Sequence, residues 1–120
     1  MRTALLAAGA ALMLAAVPAA AQQKSIKIGF VSTFSGPTAV IGNNMRDSFE
    51  LALDHLGHKM GGLPVEVVYE DDAIKPETGR QKTEKLIESD KVDFITGYIW
   101  SKVLLASLKP ALDSKTFLIS

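Results

Sequence analysis

Two large rings, Tyr98 and Trp100, precede Ser101 in the stretch TGYIWS, and Trp100 is the only tryptophan of the chain. An apolar run, Phe94 and Ile95, stops at Gly97 just before them, and a leucine-rich segment follows. A serine at the start of a helix offers a hydroxyl beside unpaired backbone N–H groups, and the helix dipole adds partial positive charge there. That combination suits a carboxylate. The same serine also fits an ordinary N-cap with no ligand. The rings carry the same pair of readings: wall of a ligand site, or lid over a core.

Other chemistries find less support. Asp71-Asp72 has the look of paired carboxylates that hold a divalent cation. They follow the second strand, however, and no third acid stands at the end of the third strand. The structural role fits better: they end the strand, then cap and position the next helix. His55 and His58 lie three apart on a helix, a spacing that can hold a metal, but nothing nearby completes the site and both fall toward solvent. Gly29, Gly36 and Gly42 are too widely spaced for a dinucleotide fingerprint, and no P-loop is present. No serine is paired with an identifiable base and acid. The residues therefore describe a binding protein rather than an enzyme, with no cofactor and no metal.

Met1 to Ala21 reads as a secretory signal. Arg2 gives a thin positive start, Ala4 to Val17 is continuously apolar, Pro18 breaks the run, and Ala19-Ala20-Ala21 fits the cleavage pattern. The run is too short to span a bilayer as a helix, which argues against an N-terminal anchor. Cleavage would leave Gln22 first. The expected location is the periplasm. There is no cysteine in the 120 residues, hence no disulfide framework and no lipid-bearing thiol. The full chain has 13 basic and 13 acidic residues; losing Arg2 leaves a net charge of −1. That balance argues against nucleic acid or a polybasic membrane role. From Gln22 onward there is enough chain for one small domain at most.

The elements that must position these residues alternate along the chain. Ser25 to Thr33 puts Ile26, Ile28 and Phe30 on one face and turns apolar on both, as a buried parallel strand does. Ser35-Gly36-Pro37 is a turn. From Asn43, the spacing of Met45, Phe49, Ala52, Leu53 and Leu56 predicts an amphipathic helix, stopped by Gly61-Gly62. Leu63 to Glu70 alternates, predicting Leu63, Val65, Val67 and Tyr69 inward, Glu66 and Glu70 outward, on a strand at or near a sheet edge. Pro76 and Glu77 open a helix to about Ser89, with Gly79, Thr83, Leu86 and Ile87 buried. Val92 to Thr96 is a third strand. Ser101 to about Leu112 is a third helix with Leu104, Leu105, Leu108 and Ala111 inward, kinked or shortened by Pro110. Thr116 to Ile119 starts a fourth strand.

Strands joined by helices are parallel and their crossovers right-handed. The predicted fold is α/β, a doubly wound parallel sheet of order 2-1-3-4 with the first strand central. Ligands of such sheets bind at the carboxyl ends of the strands, where the order reverses. That point lies between the loops Ser32–Gly42, which includes Ser35 and Ile41, and Gly97–Ser101.

Three segments carry a family resemblance: KIGFVSTFSGPTAVIG, YEDDAIKPETG after the second strand, and DFITGYIWS after the third. Their order and spacing resemble the periplasmic solute-binding proteins of ABC transporters, in particular the branched-chain amino acid (Leu/Ile/Val-type) group, from about Lys27 to Ser120. The resemblance implies a two-lobed clamshell, of which residues 22–120 form the N-terminal part of the first lobe and the second lobe is absent. It implies an amino acid or small carboxylate as ligand and an ABC permease in the inner membrane as partner. It gives Ser101 the ligand carboxylate and Ile41 a place against the ligand side chain; Trp100, Tyr98 and Ser35, in the loops at the switch point, are the other candidate ligand contacts. Where the family often has a ring, this chain has Ile41. That departure, with Trp100 beside Ser101, opens the ligand class to aromatic acids such as benzoate derivatives. An extracellular sensor domain of a receptor is the alternative on the same fold.

Overall fold

The computed structural model describes residues 24–120, so the expected signal segment lies outside the described residues. Eight elements follow one another: β1 (Ile26–Ser32), α1 (Ala39–His55), β2 (Lys59–Met60), β3 (Leu63–Asp71), α2 (Pro76–Glu88), β4 (Phe94–Thr96), α3 (Ser101–Asp113) and β5 (Phe117–Leu118). They build one sheet of order β2-β3-β1-β4-β5. With β2 set aside, this is the expected 2-1-3-4 plan. β1 is central and runs parallel to β3 from Ile26↔Val65 to Ser32↔Asp71, and to β4 from Ile28↔Phe94 to Phe30↔Thr96.

β2 was not expected. α1 starts at Ala39, just after Pro37, and ends at His55, so Gly61-Gly62 does not stop it. That pair instead makes the two-residue turn of a hairpin joining β2 to the start of β3. Both glycines have positive φ, 56° and 80°, as the tightest hairpin turn demands. β2 pairs only with Leu63 and Pro64, so most of the outer rim of β3 has no strand beside it among the described residues.

Alternation along the strands divides the core into two layers. Ile28, Leu53 and Val65 form one cluster, joined by Ile26, Phe49, Val67 and Phe94, on the α1 side. Val31, Leu86, Val92 and Ile95 form the other, joined by Val68, Ile87 and Tyr98, on the side of α2 and α3. The handedness rule explains the split. The step from β1 to β3 runs one way across the sheet and the later steps run the other way, so α1 lands opposite α2 and α3.

Two expectations about facing are corrected. Glu66 is exposed, but Glu70 is only 8% exposed. It lies under α2, where Lys82 and Lys85 reach its two carboxylate oxygens at 2.8 and 2.5 Å. A doubly wound sheet is covered on both faces, so an outward charge at the end of β3 meets a helix rather than water. In α3 the buried residues are Val103, Ser107 and Ala111, whereas Leu105 is 66% exposed; Leu104 and Leu108 are half-buried. α3 packs beside α2, which presents Gly79 and Thr83, and close approach selects small residues every fourth position. Pro110 does not shorten the helix, which continues to Asp113.

Candidate functional site

Three loops leave the carboxyl ends of β1, β3 and β4 and meet at the point where strand order reverses. Their polar side chains are joined to one another. The Trp100 indole Nε1–H donates to Thr33 Oγ1 at 3.0 Å, and the Thr33 hydroxyl donates to Asp72 Oδ1 at 2.6 Å. Asp72 Oδ1 also accepts the Ile74 N–H at 2.8 Å. Its neighbour Asp71 does the parallel work, accepting the N–H of Phe34 at 2.9 Å and of Ala73 at 3.0 Å. Ala73 and Ile74 both have positive φ, 48° and 62°, which is uncommon for any side chain and unfavourable for a β-branched one. The two carboxylates hold that strained turn. Burial raises the Asp71 carboxyl, but bonds from Ser35, Phe34 and Ala73 outweigh it and keep the group below its ordinary value.

The acidic pair is therefore structural, as expected, though not as a helix cap. The cap position of α2 is Lys75, with no side-chain cap bond. His58 Nε2 lies 2.7 Å from Asp54 Oδ1, both exposed, and no cluster of three metal-ligating side chains occurs among the described residues.

Ser101 is the first residue of α3 and is exposed; its expected cap role is not what the helix shows. Trp100 occupies the cap position in extended conformation, φ −103° and ψ 123°, and no side chain caps the helix. The Trp100 carbonyl takes the N–H of Val103 and Leu104 at 2.9 and 3.0 Å. The N–H groups of the first turn ahead of them have no carbonyl to meet within the helix. No acidic residue stands in that turn. What the end of α3 presents is an unengaged hydroxyl beside free donors at a positive dipole end, able to receive an anion.

The remaining candidates separate. Ser35 is exposed in its turn, next to Gly36. Trp100 is half-buried between Ser101 and Thr33. Tyr98 turns inward: its hydroxyl lies 2.5 Å from Thr83 Oγ1 on α2, and its ring packs on the Val31–Ile95 cluster. Burial pushes its phenol up, and the Thr83 and Ser107 hydroxyls pull it back only in part. Gly97 makes this crossing possible. It has φ +100°, and a Cβ there would stand 2.6 Å from the Phe30 ring. A concavity of about 660 Å³ lies to one side of the loops, on the α1 face. Ile41, Met45, Phe49, Gly97 and Tyr98 line it, whereas Ser101, Trp100 and Ser35 do not. No charged side chain lines it. Thr33 is the residue that sequence reasoning missed, and with it the bond that links Asp72, weighed there only as one of an acidic pair, to Trp100. The only signal for that link was position, two short polar residues at adjacent carboxyl ends of parallel strands.

Residues 25–120 match the periplasmic binding protein family over most of the chain. The chain belongs to that family. It is 30% identical over 88 residues to the Leu/Ile/Val-binding protein homolog 6 of Brucella abortus, which covers 72% of this chain and 23% of the relative. The chain thus spans about a quarter of the length of the curated relatives it matches. Among solved structures, an ABC transporter substrate-binding protein from Sphaerobacter thermophilus is 37% identical, with a TM-score of 0.75 over 79% of this chain and 26% of that one. An R. palustris solute-binding protein in complex with benzoate is 30% identical, with a TM-score of 0.74 over 79% and 26%. A branched-chain amino acid transporter substrate-binding protein of Streptococcus pneumoniae, in complex with isoleucine, is 29% identical, with a TM-score of 0.74 over 81% and 28%.

Proposed function

We propose that this chain is the N-terminal part of the first lobe of an extracytoplasmic substrate-binding protein, one that binds a small carboxylate and hands it to an ABC permease in the inner membrane. Membership of the family supports the binding role, and a non-enzymatic one. The secretory pattern of Met1 to Ala21 supports export. The observation that carries the reading is Ser101, exposed with free donors at the start of α3, where the strand order reverses. Relatives in complex with isoleucine and with benzoate share the carboxylate and differ in the rest of the ligand. Ser101 fits the shared group. Trp100 beside it, and aliphatic Ile41 across the loops, favour a flat aromatic acid over a branched aliphatic one.

The test needs an opposing lobe. Residues 24–120 are exchanged for the matching segment of the R. palustris benzoate-bound protein, and isoleucine and benzoate are titrated by calorimetry. Ser101→Ala should weaken carboxylate binding by about 1.5–3 kcal/mol, the usual worth of a hydrogen bond to a charged group. Affinity unchanged by Ser101→Ala would remove the serine from the site.

A further inference from the structure

We infer that Asp72 and Thr33 are positioning residues that fix the Trp100 ring beside Ser101, so that one wall of the site is set before a ligand arrives. The inference deepens the reading of Ser101 as the carboxylate site and rests on it for its functional part. Its structural part stands alone. A single relay, Trp100 Nε1–H to Thr33 Oγ1 to Asp72 Oδ1, ties together loops from three strands.

Each link is placed where freedom is least. Thr33 and Asp72 are fully buried. Thr33 directly follows β1, the central strand, and Asp72 follows β3, its N–H bonded to the Ser32 carbonyl at 2.9 Å. The carboxylate is held from two directions, by the Thr33 hydroxyl and by the Ile74 N–H. A hydroxyl that donates to a carboxylate has its lone pairs turned away from it, and there the indole N–H arrives. An indole bonded through Nε1 to a fully buried acceptor loses the freedom of both side-chain torsions. Burying a carboxylate is unfavourable unless it is well bonded, and here one oxygen, Oδ2, has no partner among the described residues. Holding the turn does not require that depth, because Asp71 holds its half of the same turn while less buried. What distinguishes Asp72 is the link through Thr33 to the ring. A wall fixed in advance raises affinity by removing the ordering cost from the binding step.

Because Trp100 is the only tryptophan, one indole N–H resonance and one emission band report the ring in the full chain. Thr33→Val keeps the shape and removes the hydroxyl; Thr33→Ser restores it. With Thr33→Val the indole N–H resonance should move upfield and exchange faster, and acrylamide should quench the emission at least twofold more efficiently. Thr33→Ser should match the parent in all three. If Thr33→Val does not fold, Asp72→Asn is read by the same indole resonance, which should shift upfield because the Thr33 hydroxyl, no longer donating to a charged oxygen, becomes a weaker acceptor. An indole signal and quenching unchanged in the variant that folds would overturn the relay. In the exchanged two-lobed protein, Thr33→Val should weaken benzoate binding about threefold to tenfold, and Thr33→Ser should not. A moved indole signal with benzoate affinity unchanged would overturn the role in the site. If Ser101→Ala leaves carboxylate affinity unchanged while Thr33→Val moves the indole signal, the Ser101 reading fails and the relay stands.

Discussion

The two faces of the sheet are covered unequally. On one, α2 and α3 lie side by side, and Val31, Leu86, Ile95 and Val103 are completely buried beneath or between them. On the other, α1 is the only helix among the described residues. Its 17 residues bury only Gly42 and Leu53, and Leu51 remains 56% exposed. α1 lies over β1 and β3, where Phe30 meets Phe49 and Tyr69 at 5.2 and 5.3 Å. Past β1, the α1 face of β4 and β5 carries two concavities, one at Thr96 and Gly97 and one at Phe94 and Phe117. The difference follows from topology. One step of the chain runs toward β3 and two run toward β5, so right-handed crossovers put one helix on one side and two on the other. Stability and the candidate site should therefore depend mainly on the α2–α3 face.

The largest effect is expected from that face. Leu86 is fully buried and fills the space beside Gly29, where a Cβ would stand 2.8 Å from its Cδ1. Leu86→Ala should cost about 2–5 kcal/mol, the range for emptying a core leucine. Leu51→Ala on α1 should stay within about 0.5 kcal/mol. Urea unfolding of the two variants followed by circular dichroism measures both. Equal losses would mean that the faces contribute alike.

A smaller effect is expected from the one buried carboxylate that α2 neutralises. Burial raises the Glu70 carboxyl, yet the bonds from Lys82 and Lys85 outweigh it and hold the group below its ordinary value. A lowered folded-state value gives stability that is present above the unfolded-state value and is lost as pH falls through the folded one. Glu70→Gln should cost about 1–2 kcal/mol near neutrality, at the modest end for charged hydrogen bonds because both lysines reach water. The gap between parent and variant should close below about pH 4. A gap that persists unchanged at pH 3 would assign the loss to packing.

These residues also mark how far the sequence could be read. The four parallel strands were legible because apolar runs are set off by glycine, proline and aspartate, and the stripe of α2 because Gly79, Thr83 and Leu86 keep helical spacing. Glu70 was misread because strict alternation implies water on one face, and nothing within β3 announces the two lysines that lie 12 and 15 residues further along. The stripe of α3 was misread except at Ala111, because leucines draw the eye, whereas a neighbouring helix at close range selects Val103 and Ser107 as well. In the site, Ser101 and Trp100 were found as neighbours in sequence. Their support was not, since Thr33 stands 67 residues from Trp100 and 39 from Asp72. No local pattern connects such partners; only the meeting of three strand ends does.

The smallest change in stability is expected at the open end of the α1 face. Phe117 is 77% exposed on β5 and pairs in register with Phe94 of β4. On its other side β5 has no strand among the described residues. An exposed ring on an unpaired strand edge loses little on substitution, because little of it is buried, but it invites contact with apolar dyes and with other chains. Phe117→Lys should change unfolding free energy by less than about 0.5 kcal/mol. It should also reduce fluorescence enhancement of 8-anilinonaphthalene-1-sulfonate and lower light scattering at high protein concentration, since lysine on an edge opposes pairing. The matched control is Leu105→Lys, on the outer surface of α3, which should leave dye binding nearly unchanged because Leu105 lines neither the groove on the α1 face nor the cleft between α2 and α3 at Glu84, Ile87 and Pro110. If both substitutions reduce dye binding equally, exposure of single side chains accounts for it and the two faces do not differ. If Phe117→Lys destabilises by more than 1 kcal/mol, the ring is covered in solution and the α1 face is less open than its topology implies.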